Sequence, residues 1–113
     1  MIIAPLVDLL ESIEGRQYLR LINQLANHPE YADEATIDFA TGLVRAAAHM
    51  EPVSSLMPAD RRPHRVQNTI GLVLFSLARQ ARLIDATAPL VPPLDTAAFT
   101  DELTTAVQAQ LRA

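Results

Sequence analysis

Residues 64–86 read His64-Arg65-Val66-Gln67-Asn68-Thr69-Ile70-Gly71-Leu72-Val73-Leu74-Phe75-Ser76-Leu77-Ala78-Arg79-Gln80-Ala81-Arg82-Leu83-Ile84-Asp85-Ala86. Val66, Ile70, Val73, Leu74, Leu77, Ala81 and Ile84 recur at the three- and four-residue spacing of a helix face. Leu72, Phe75 and Leu83 fall on the opposite side, so the middle of this helix is apolar nearly all round. A helix of that kind needs cover on more than one face. One small helical core covers only one, so the second face calls for a partner chain or a ligand cavity. Asn68, Leu72, Phe75, Ser76 and Arg79 lie along that second side. They read as a self-associating face or a pocket wall; the alternative leaves Asn68 and Arg79 in water and covers Leu72 and Phe75 within the chain.

Upstream, Leu6, Leu9, Leu10 and Ile13 predict a helix over 3–14, with Gly15 as its stop. Tyr18, Leu21, Ile22 and Leu25 predict a second over 16–27, broken by Asn27-His28-Pro29. Pro29 suits a first helical position, and Glu30, Asp33 and Glu34 suit a first turn, so a third helix is expected over 30–50. Residues 52–63 hold three prolines and form a loop before the helix at 64–86. Thr87 to Leu94 is a stiff proline-rich connection. Asp95 is a good N-cap for a last helix over 95–112, with Phe99, Leu103, Ala106, Val107 and Leu111 on one face. The expected fold is all-α, about five helices, in a single domain spanning 1–113.

Composition removes most chemistry. The chain has no Cys, which excludes disulfides, thiolate nucleophiles and cysteine-ligated zinc. All nine basic residues are Arg, so lysine Schiff bases and P-loop lysines are absent. The three glycines, Gly15, Gly42 and Gly71, are isolated and make no phosphate loop. Four serines lie outside any Gly-x-Ser-x-Gly elbow. His28, His49 and His64 show no two-ligand helix spacing, and the carboxylates Glu30, Asp33, Glu34 and Asp38 sit where a helix dipole favours negative charge. No catalytic residue, metal site or cofactor is expected, and the chain reads as no enzyme. Arg61, Arg62, His64 and Arg65 form one short basic cluster in a chain of net charge −4, a poor nucleic-acid footprint. The longest uncharged run, 66–78, is too short to cross a bilayer, and the N-terminus lacks the basic flank of a signal peptide. A cytoplasmic chain is expected, with no membrane partner and no direct nucleic-acid binding.

Several segments together resemble one family. Glu14-Gly15-Arg16-Gln17-Tyr18-Leu19-Arg20-Leu21-Ile22-Asn23-Gln24-Leu25-Ala26-Asn27-His28-Pro29-Glu30 is similar to a segment common in C-terminal domains of TetR-family transcriptional regulators. Leu56-Met57-Pro58-Ala59-Asp60-Arg61-Arg62 with Arg65-Val66 resembles the lead-in to that family's penultimate helix. Leu77-Ala78-Arg79-Gln80-Ala81-Arg82-Leu83-Ile84-Asp85 is similar to its end, and Leu94-Asp95 to Leu103 to the start of the final helix.

The resemblance implies an effector-binding and dimerisation domain of a repressor. The last two helices would meet their twins in an intermolecular four-helix bundle, and earlier helices would enclose a small-molecule pocket. A small apolar effector would shift the dimer geometry and release DNA. The family's N-terminal helix-turn-helix domain is not matched here, so the chain is expected to be a C-terminal fragment. Candidate ligand-binding residues are Tyr18, Ile22, Leu43, His49, Met50, Ile70 and Leu74, with Gln24 or His49 as orienting polar groups. Candidate homodimer residues are Leu72, Phe75, Arg79, Phe99, Leu103 and Val107. The alternative is a helical dimerisation module that takes no ligand.

Overall fold

The computed structural model describes residues 6–35, 38–39 and 60–112. Within them the chain is helical, with no strand. Leu6 and Val7 lead into a 3₁₀ turn, Asp8–Glu11, and three long helices follow: α1, Ile13–Ala26; α2, Arg62–Asp85; and α3, Thr96–Arg112. Residues 32–35 and 38–39, inside the third expected helix, are also helical; the rest of the span 30–50 lies outside the described residues, as does most of the proline-bearing loop.

The first break falls at Ser12, not at Gly15. Ser12 is extended (φ −119°, ψ 153°), and its Oγ accepts a hydrogen bond from the Gly15 amide at 2.9 Å. That is an N-cap, satisfying one of the amides a helix start leaves without a partner. Gly15 therefore lies in the first turn of α1 and is buried there. A Cβ on it would overlap the Leu9 carbonyl. The glycine is a close-approach residue that lets the 3₁₀ turn lie over α1, and not a helix stop.

Helix α1 ends at Asn27, whose side-chain amide donates to the Asn23 carbonyl at 2.8 Å. Helix α2 begins two residues before its expected start at His64, because Pro63 sits in its first turn, where the missing N–H costs nothing. Asp95 caps α3 as expected: its Oδ1 accepts from the Ala98 amide at 2.8 Å. The connection before it is anchored by Gln80, a buried residue of α2 whose Nε2 donates to the Leu94 carbonyl at 2.7 Å.

The core runs between these elements. Val7 and Leu10 of the opening segment meet Leu19 and Ile22 of α1; Val73, Leu77 and Ala81 of α2 meet Phe99, Leu103 and Val107 of α3. Helix α2 is the central element, packed against both α1 and α3. Each of its fully buried aliphatic side chains contributes about 1.5–3 kcal/mol relative to exposure.

Candidate functional site

The two sides of α2 have different surroundings. Ile70, Val73, Leu74, Leu77, Ala78 and Ala81 are buried, with Leu77 at 0% exposure. On the other side Phe75 is 57% exposed, Asn68, Gly71 and Arg79 are exposed, and Leu72, Ser76 and Leu83 are half-buried. The second apolar face seen in the sequence is thus left open by the described residues. Among the described residues nothing lies within 4 Å of a Cβ built on Gly71, so no packing between them explains a residue that weakens a helix by about 1 kcal/mol.

An open groove of about 410 Å³ runs along this face. Phe75, Arg79 and Leu83 form one wall, Val91 and Leu94 of the proline-rich connection one end, and Glu102 and Ala106 of α3 the other wall. Phe99 and Leu103 form its floor. Arg79 and Glu102 stand on opposite walls, both exposed. A second, smaller groove of about 290 Å³ lies on the α1 side. Ile70, Leu74, Ala26 and Phe75, which also lines the larger groove, supply its apolar part, and Asn23, Asn27, Gln67 and Asn68 ring it with carboxamides.

The expected interface residues therefore divide. Phe75 and Arg79 are exposed and Leu72 is half-buried, available to something outside the chain. Phe99, Leu103 and Val107 are already buried against the chain's own core, because the apolar stripe of α3 turns toward α2. Phe99 and Leu103 still underlie the groove; Val107 does not line it.

The expected ligand residues divide as well. Ile22, Ile70 and Leu74 are buried, and Ile70 and Leu74 line the smaller groove. Tyr18 is 44% exposed and Gln24 is exposed, and neither lines either groove. Leu43, His49 and Met50 lie outside the described residues. Among the described residues no group of three or more metal-ligating side chains converges, and no helix is long and apolar enough to cross a membrane. Of the basic cluster, Arg61 and His64 are exposed at the start of α2.

Sequence reasoning missed one polar constellation. Arg16 Nε donates to Asp85 Oδ1 at 2.8 Å, Arg16 Nη1 donates to the Leu10 carbonyl at 2.9 Å, and Arg20 Nη1 lies 3.5 Å from Asp85 Oδ2. The partners sit 69 positions apart, and no local pattern announces them. The groove ends Val91 and Leu94 were missed because the connection reads as a spacer.

The described residues form helices joined by turns and a proline-rich connection, and α2 is bare along one side. Residues 1–109 match the family model for the Tetracyclin repressor-like, C-terminal domain, and the chain belongs to that family. This bears out the resemblance carried by Glu14 to Glu30 and the later segments. The family is one of TetR-type transcription regulators and not of enzymes. No curated protein and no solved structure matches the chain.

Proposed function

We propose that this chain is the effector-sensing and dimerisation domain of a TetR-like repressor acting in the cytoplasm. The observation that carries the reading is the bare side of α2. A 57% exposed Phe75 beside half-buried Leu72 and Leu83, over an open groove, is apolar surface that water disfavours and a second copy would cover. Charge supports a second copy as the occupant. A two-fold interface brings the same surface together from both sides, so it must be self-complementary. Arg79 and Glu102 on opposite walls give each charge an opposite one across the two-fold.

The effector in this reading is a small, largely apolar molecule held against Ile22, Ile70 and Leu74, with Leu43, His49 and Met50 as further wall candidates. Its action is a population shift: it must bind one dimer geometry more tightly than the other, or nothing switches. DNA release then follows from the change in geometry, with no nucleic-acid contact by this domain.

Light scattering across a concentration series tests the dimer. The expected mass is twice 12.4 kDa, falling to one chain mass in Phe75→Glu with helicity retained. Arg79→Glu alone should weaken the dimer, and adding Glu102→Arg should restore it. A folded monomer at high concentration overturns this part. A dye that fluoresces in apolar surroundings tests the sensor: saturable, stoichiometric binding supports it, and no binding by the folded dimer favours the ligand-free dimerisation module.

A further inference from the structure

Asp85 occupies a position that helix energetics alone would not choose. It is the last residue of α2, where the helix dipole disfavours negative charge. Two guanidinium groups of α1 offset that cost: Arg16 at 2.8 Å and Arg20 at 3.5 Å. Arg16 does more than pair. Its side chain is only 13% exposed, and while Nε holds Asp85, Nη1 donates to the carbonyl of Leu10 in the 3₁₀ turn. A planar guanidinium holds two acceptors in fixed relative geometry, which a single ammonium does not. Next to it, Gly15 lets the Leu9 backbone press onto the first turn of α1. The contacts converge on one point, where the opening segment, the start of α1 and the end of α2 meet.

We propose that this joint makes residues 6–11 and the C-terminal end of α2 move as one body, with Arg16 and Asp85 as positioning residues. A shift of α2 is then passed to the segment that opens the chain. The coupling itself rests on contacts within one chain; only its use in regulation rests on the reading of α2 as the dimer helix. The joint also gives Gly15 and Arg16, within the run that carries the family resemblance, a mechanical role.

Hydrogen exchange read by peptide tests the coupling from both sides. Asp85→Asn perturbs the α2 end and should speed exchange in residues 6–12 about fivefold, the opening expected when a partly exposed ion pair is lost. Arg16→Lys should do the same, since lysine does not span both acceptors. Gly15→Ala perturbs the opposite side and should speed exchange in residues 82–86. Helix α3 is the internal reference and should not change. Exchange that rises only on the perturbed side overturns the proposal, because the pair is then a local clamp. An equal rise in α3 overturns it too, because Asp85 then acts on global stability. If Gly15→Ala does not fold, Leu9→Ala, read at residues 82–86, replaces it from the same side, with a smaller rise expected. Repeating the set in Phe75→Glu separates the two readings: the coupling should persist there and its loss overturns the proposal, while the mass of the unsubstituted chain by light scattering tests the dimer reading on its own.

Discussion

The two long sides of α2 share a composition and differ in circumstance. Leu77 and Phe75 lie two residues apart, both large and apolar, yet one is at 0% exposure and the other at 57%. The inner side is held by α1 and α3 of the same chain; the outer side has a groove and an open glycine. Apolar residues that a monomer leaves exposed contribute nothing to its folding. In the proposed reading this face of the central helix is the association surface.

That contrast can be broken by substitutions made in pairs, with stability measured by denaturant at fixed protein concentration because the proposed dimer would shift the midpoint. Leu77→Ala should cost the most, about 3 kcal/mol, since it empties a fully buried site. A loss below about 1 kcal/mol would mean that the inner side is loosely packed. Gly15→Ala comes next, with about 2 kcal/mol lost to overpacking against Leu9. Asp95→Ala should cost about 1 kcal/mol by removing the cap of α3, and near-ultraviolet signals from the core should survive.

Gly71→Ala reverses the sign within the chain. Nothing surrounds the site, so alanine should stabilise the monomeric Phe75→Glu background by about 0.5–1 kcal/mol. In the otherwise unchanged chain the same substitution should weaken the dimer if a partner backbone comes close there. Phe75→Ala should change monomer stability least, within about 0.5 kcal/mol. Its effect belongs in the association constant, read by light scattering. Equal folding losses for Phe75→Ala and Leu77→Ala would remove the distinction between the two sides.

Much of the fold was legible because helix periodicity is local. The buried stripe from Ile70 to Ala81 and the Asp95 cap each depend on residues within one or two turns, although the expected ends of that stripe, Val66 and Ile84, are each 39% exposed. Gly15 was misread because a glycine at a helix boundary and a glycine under a neighbouring backbone look the same in one dimension. The cap at Ser12 was overlooked for a related reason: the apolar spacing of Leu6, Leu9, Leu10 and Ile13 continues across it, and periodicity does not report a single extended residue. Of the site, the apolar second face was readable from Leu72 and Phe75. The division of Phe99, Leu103 and Val107 into the chain's own core was not, since a stripe shows that a face is buried but not against what.

The sequence alone therefore determined the all-helical class, the helix that organises it and the chemistry it lacks, because these follow from residue type and short-range spacing. Its resemblance to a regulator family was also legible in one dimension, through the run from Glu14 to Glu30. Tertiary structure decided which side of α2 the chain covers for itself and where Gly15 meets Leu9. It also brought Arg16 and Arg20 to Asp85 across most of the chain length. Those facts depend on how helices come together in space, and contacts between distant residues leave no periodic trace in the chain that makes them.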